Sequence, residues 1–380
     1  MPIFKPRFNN QLTANSILSD DAVFNFTTLN GQSSYISASK ALQNSDVYSV
    51  VSQISSDLAT TTYTTDSSRV QSMINNPSVT TNGHAFWQAM AAQMLLSGEA
   101  FAYRWRNVNG VDLRWEYLRP SQVSPFLLED GSGLIYNVTF DEPNIGVVQA
   151  IPQSDMIHIR LLSQNGGMTG ISPLTALNSE LSVKDASNRL TMNALNQSIN
   201  APGILKVNKG GLLNAEQKAK RSREFMRQQS KSSGGPIVID DLEDYTTLEI
   251  KSDVASLLSQ TDWTSKQIAK VYGLPDSYLG GQGDQQSSIE MMQGMYTNTL
   301  NRYAQAIIGE LDNKMNSTVT ANLRPALDPA GNNLATMVNT LTTGGVLAVN
   351  QATWLLKQSG FLDNDLPDPI DEDSLKGGEN

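Results

Sequence analysis

Cysteine is absent from this chain of 380 residues, histidine occurs twice, and charged residues make up only 17 % of it. Without thiols there can be no disulfide framework, no thiolate metal site and no cysteine nucleophile. The two imidazoles, His84 and His158, stand in neither an HExxH nor an HxH spacing, so no metal and no cofactor is expected. His158 falls in the alternating stretch Met156-Ile157-His158-Ile159-Arg160, where a structural imidazole is expected. The longest nearly apolar run, Ala89 to Leu96, is far below the ~20 residues of a membrane span. The first ten residues carry Lys5 and Arg7 with no apolar stretch behind them, so neither a signal peptide nor a membrane partner is expected. A GxxxxGK motif followed by Ser or Thr is missing, which excludes a motor ATPase, and so is the GxSxG elbow of α/β-hydrolases.

What the chain does have is size, a net charge of -10 and a surface vocabulary of Ser, Thr, Asn and Gln. Its length suits two or three structural units with a real hydrophobic core. The acidic balance argues against sequence-independent DNA binding as the main task, yet it leaves room for DNA to pass without sticking.

Periodicity divides the chain. Residues 11–45 read as an arm or irregular edge. Val47, Val50, Val51, Ile54 and Leu58 mark a helix beginning at Asp46, and Phe86, Trp87, Met90, Met94 and Leu95 mark another that Gly98 ends. Phe101, Tyr103 and Trp105, then Asn109-Gly110, then Val111, Leu113, Trp115 and Tyr117 predict a hairpin with one aromatic face and one ladder of opposite charges. A second hairpin is expected around Asp130-Gly131, with strands at 147–151 and 156–162. From Ser172-Pro173 to Pro202-Gly203 nothing breaks a helical pattern, which predicts one uninterrupted helix about 40 Å long. A second long helix is expected over 252–272, and a third opens at the capping box Ser287 and Glu290. Gly294 and Gly309 inside this third helix suggest close packing or a kink. Shorter helices at 334–341 and 350–358 and an acidic tail complete the reading. The fold class is α+β.

Two long helices thus bracket an insert of about fifty residues, expected to hold a strand over 203–207, a helix over 214–229 and a strand over 237–239. Its charges are segregated. Lys206, Lys209, Lys218, Lys220, Arg221, Arg223, Arg227 and Lys231 are offset only by Glu216 and Glu224, whereas Asp240, Asp241, Glu243, Asp244, Glu249 and Asp253 follow with Lys251 alone. Three readings stay open: head-to-tail contacts that close a ring, a basic patch for nucleic acid, or a solvated helix. The acids read as solvated turn residues, although a carboxylate-based hydrolase is a second reading of the chain and another ring-forming tail or baseplate protein a third.

The order of motifs carries a resemblance. Asp155-Met156-Ile157-His158-Ile159-Arg160 leading to Gly170-Ile171-Ser172-Pro173-Leu174, then Pro202-Gly203-Ile204-Leu205, then Ile268-Ala269-Lys270-Val271-Tyr272-Gly273-Leu274-Pro275 with Leu279-Gly280, resembles the portal proteins of long-tailed bacteriophages. The resemblance implies a homo-oligomeric ring of about a dozen copies at one capsid vertex, assembled in the host cytoplasm and retained in the virion. It implies a wing (1–171), a stem (172–200 and 252–273), a clip (201–251), a tunnel loop (274–287), a tunnel helix returning to the wing (288–316), and a crown with the acidic tail (317–380). Implied partners are double-stranded DNA in the channel, the terminase large subunit, a head-tail connector protein, and the major capsid protein with its scaffold. On that map Gln282, Asp284, Gln285 and Gln286 would line the channel. Lys218, Lys220, Arg221, Arg223, Arg227, Asp240 and Asp241 would make the clip's inter-subunit or partner contacts.

Overall fold

A computed structural model describes residues 14–17, 38–142, 144–199, 203–207, 214–231, 243–247, 254–275, 289–363 and 365–366. The chain divides into two compact units, residues 1–178 with 268–380, and residues 179–267.

The first unit is built on two helices, α1 (Ser45–Thr60) and α2 (Ser68–Asn75), joined by β2 (Thr62–Thr65), and a third, α3 (Gly83–Ser97). Asn44 caps α1 through its side-chain oxygen, which accepts from the N–H groups of Asp46 and Val47; Asn82 caps α3 in the same way through Ala85. The expected stripe of Val47, Val50, Val51, Ile54 and Leu58 is buried, as are Phe86, Trp87, Met90, Met94 and Leu95. Gly98 ends α3 with φ +80°, and a Cβ there would lie 2.1 Å from the Ile171 carbonyl oxygen. Gly170 meets the Gly98 carbonyl oxygen just as closely. Two glycines therefore permit a backbone crossing that no side chain would fit.

All strand pairs of this unit are antiparallel. β4 (Asp112–Leu118), β3 (Glu99–Arg106) and β8 (Met156–Arg160) form one sheet in that order. A second holds β1 (Ala14–Ile17), β5 (Val123–Leu128), β6 (Leu134–Thr139) and β7 (Val147–Pro152). The apolar cluster of Phe101, Leu118, Val123, Tyr136, Val138, Phe140, Ile151 and Met156 joins the two sheets. The arm read over residues 11–45 supplies β1 to the β5 edge.

The first hairpin departs from expectation in its faces. Tyr103 pairs with Glu116, Trp105 with Arg114, and Arg104 with Trp115. The turn runs through Asn107–Gly110, where the Asn107 side chain accepts from the N–H groups of Asn109 and Val111. With a bulge beside Trp105, odd residues of β3 share a face with even residues of β4, so the aromatics of the two strands point to opposite sides. Trp105 Nε1–H donates to the Glu116 carboxylate at 2.5 Å, and the Arg114 guanidinium lies 4.9 Å from the Trp105 ring centre. Trp115, on the other face, packs edge-on against Trp87 at 6.1 Å.

The helix expected over 172–200 is interrupted. Ser172 caps a single turn, Pro173–Ala176, which closes at Leu177 with φ -99° and ψ 1°. Helix α4 then runs from Asn178 to Ile199, about 33 Å at 1.5 Å per residue. The second unit continues with β9 (Gly203–Val207), α5 (Ala215–Lys231), β10 (Glu243–Thr247) and most of α6 (Val254–Tyr272). β10 pairs antiparallel with β9, so Glu243 and Asp244, read as turn acids, are strand residues. The strand expected over 237–239 lies outside the described residues. Back in the first unit come α7 (Ile289–Met315), β11 (Val319–Asn322) paired antiparallel with β2, α8 (Asn332–Thr343) and α9 (Val349–Gln358). At Gly294 and Gly309 an added Cβ would meet nothing within 4 Å, so close packing does not account for either glycine.

Candidate interaction surfaces

Two places stand out, one in each unit. In the second unit α5 presents its charge to solvent. Lys218, Lys220, Arg221, Arg223 and Arg227 are all exposed. Lys220, Arg223 and Arg227 follow at steps of three and four and so share one helix face. Arg221 turns to Glu224 at 3.7 Å, and Arg223 Nε donates to the Ala219 carbonyl at 3.2 Å. Phe225 alone among residues 214–228 is partly covered, while Met226 is 58 % exposed. A helix this polar gains little from burying a face.

The register of β9 on β10 sets Lys206 opposite Asp244 and Val207 opposite Glu243. One basic and one acidic residue of the insert, Lys206 and Asp244, therefore stand side by side in one subunit, a proximity that the linear charge count does not reveal. Asp240 and Asp241 lie outside the described residues, as do Gln282, Asp284, Gln285 and Gln286. Thus the structure brings the five basic site residues together on α5.

In the first unit the geometry is a frame around residues 276–288. The chain enters through the end of α6, where Tyr272 is buried and its hydroxyl donates to the Leu95 carbonyl at 3.2 Å. Gly273 has φ +77°, and Thr299 Oγ1 of α7 donates to its carbonyl oxygen at 2.6 Å. Tyr303, one turn further along α7, donates to the Tyr272 carbonyl at 3.0 Å. The Tyr296 hydroxyl donates to the Asp57 carboxylate of α1. Burial raises the Asp57 carboxyl above its ordinary range, and the Tyr296 bond opposes that shift. The two helices on either side of 276–288 are thus tied to each other and to α1 and α3.

The far end of α7 is anchored by buried charge. Glu310 Oε1 accepts the His158 backbone N–H at 2.8 Å, covering the open edge of β8. Lys314 stands 3.5 Å from Glu310 and donates to the Gln153 carbonyl at 2.7 Å, and Arg160 lies 3.6 Å from Glu310. Burial raises the Glu310 carboxyl; Lys314, the His158 N–H and Arg160 pull it back. The His158 imidazole is fully buried, with Nε2 2.9 Å from Glu99 and Nδ1 3.1 Å from the Tyr136 hydroxyl. Burial, with the positive charges of Arg160 and Lys314, holds it well below the ordinary histidine range. Enclosed between Glu99 and Tyr136, it is placed as a structural imidazole. The ties from Tyr272, Tyr296, Thr299 and Tyr303 were not foreseen. Tyr296 and Tyr303 recur seven residues apart, and that spacing was the available signal.

Among the described residues no group of three or more His, Asp and Glu side chains is placed to hold a metal ion, and no helix is long and apolar enough to cross a membrane.

Comparison with known proteins adds three findings. The family model for phage portal proteins matches residues 45–355. No curated protein sequence matches. Among solved structures, a chain in the virion of a native gene transfer agent particle superposes with a TM-score of 0.61 at 19 % identity, covering 84 % of this chain and 92 % of that one. A chain in the neck of the native gene transfer agent particle, computed with C12 symmetry, gives 0.60 at 19 % identity, covering 83 % and 90 %. An HK97-family phage portal protein from Corynebacterium diphtheriae gives 0.57 at 13 % identity, covering 76 % and 96 %.

Proposed function

The chain belongs to the phage portal protein family, and from that premise we propose that it forms a ring of about a dozen copies at one vertex of a capsid, serving as the conduit for DNA packaging and ejection. The observation that carries this reading is the extent of the family match. It runs from the first turn of α1 to the middle of α9 and so includes both the helix-bracketed insert and the fastened frame.

On this reading the first unit supplies wing and crown, helices α4 and α6 the stem, and β9, α5 and β10 the clip. Residues 274–287 are the tunnel loop, with Gln282, Asp284, Gln285 and Gln286 toward the channel. Amide and carboxylate rings there would favour passage of phosphates over their capture. The exposed basic face of α5 suits two contacts in turn, the acidic half of a neighbouring clip and the terminase or connector that docks on the clip. The role is structural rather than catalytic, in a particle assembled in the host cytoplasm and carried in the virion.

Negative-stain microscopy with native mass measurement of the purified chain tests this reading. A closed ring of about a dozen subunits around a central hole is the expected result. A monomer that persists at high concentration would overturn it.

A further inference from the structure

In the first unit, a cavity of about 290 Å³ opens between the loop 78–81, α3 and the outer strand β4. Its size falls at the lower edge of small-molecule sites, which run from about 300 to 1,000 Å³, and suits one long side chain. Ala85, Phe86 and Ala89 line it from α3, Trp115 and Tyr117 from β4, and Val79 from the loop. The wall is preorganised. Phe86 and Trp115 belong to one edge-on aromatic cluster with Trp87, the Tyr117 hydroxyl donates to Gln93 at 3.0 Å, and the Trp115 backbone N–H fixes the loop by donating to the Pro77 carbonyl at 2.6 Å.

Two carboxylates, Glu116 and Glu142, also line this cavity, with Arg114 as its one basic group. Burial raises the Glu116 carboxyl above its ordinary value and Glu142 pushes the same way, against the Trp105 N–H and Arg114. An added cation would relieve both effects. The strand already displays the chemistry in miniature, since Arg114 lies over the Trp105 ring and 3.6 Å from Glu116.

We propose that this cavity receives an arginine side chain presented by a partner protein, with the aliphatic stem against Val79 and Ala89, and Glu116 with Glu142 as the acceptors of its guanidinium. Arginine fits better than lysine because a planar, forked cation can serve two carboxylates at once. The inference stands independently of the ring.

Saturation-transfer NMR of the full chain with N-acetyl-arginine amide, N-acetyl-lysine amide and N-acetyl-norleucine amide tests it. Saturable binding is expected for the arginine probe, several-fold weaker for lysine and at least tenfold weaker for norleucine. Glu116→Gln with Glu142→Gln should weaken the arginine probe about tenfold, and Ala85→Trp should block it while leaving both carboxylates in place, each variant keeping its near-UV circular dichroism. Norleucine binding as well as arginine, an arginine signal unchanged in either variant, or no saturation at all would overturn the proposal.

Discussion

Helices α3 and α5 are nearly the same length, fifteen and seventeen residues, and they serve opposite ends. Helix α3 buries Phe86, Trp87, Met90, Ala91, Met94, Leu95 and Leu96. Helix α5 leaves Lys218, Lys220, Arg221, Arg223 and Arg227 exposed. The first unit is therefore stabilised by what it encloses. The second carries a helix whose charged side chains face solvent. A change in α3 should register in folding, and a change in α5 in association.

The sharpest way to break that contrast is at Trp87, which is buried and donates from Nε1 to the Ile74 carbonyl at 2.9 Å. Trp87→Ala should cost about 3–5 kcal/mol, read as a lower urea midpoint. A loss under about 1 kcal/mol would mean that α3 is not the load of the first unit. Next in size is Gly98→Ala, where a positive φ meets a carbonyl 2.1 Å from the new methyl. The left-handed backbone alone costs about 1–2 kcal/mol, and the clash adds to it. Thermal unfolding of this variant at an unchanged midpoint would show that the crossing at Gly170 relaxes freely.

A smaller effect is expected from pH. The His158 imidazole is neutral in the fold, held well below its ordinary value of 6.5. The unfolded chain therefore binds a proton at this site below about pH 6.5 that the folded chain does not, and stability falls as pH drops through that window. The slope from one group is at most about 1.4 kcal/mol per pH unit. Glu310, whose carboxyl is raised above 4.5, acts in the opposite sense at lower pH, because the folded state there takes up its proton first. Urea midpoints between pH 7 and 6 should decline in the native chain and flatten in His158→Gln; equal slopes would remove His158 as the cause. The smallest change in subunit stability, within about 0.5 kcal/mol, is expected for Lys220→Glu with Arg221→Glu. Ring closure or partner docking should nevertheless fail, with partial recovery when Asp240 and Asp241 are changed to Lys. Normal rings from the double reversal would leave α5 as a solvated helix.

Much of the first unit was legible because its core residues recur at helical or strand spacing with named stops, as in Val47 to Leu58 and at Gly98. The hairpin faces were misread because parity depends on the bulge and on the turn through Asn107–Gly110, and alternation alone does not encode either. The break at Leu177 follows a good cap at Ser172, and no glycine or proline marks it. Lys206 beside Asp244 could not be inferred either, since a strand register joins residues almost forty apart. The basic face of α5 was readable, because charge spacing on a regular helix is a local property.

The fastening of Tyr272, Gly273 and Thr299 also has a metric consequence. Between the buried Pro275 and Ile289 lie thirteen residues, and a chain spans at most about 3.3–3.6 Å per residue. From Pro275 to Ile289 is fourteen steps, so no residue between them can lie more than about 25 Å from both anchors. In a ring of the proposed kind, copies of this segment could meet across the axis only if opposing anchors stood no more than about 50 Å apart. The length of a short segment, rather than its composition, would then set the widest channel that such a ring could narrow.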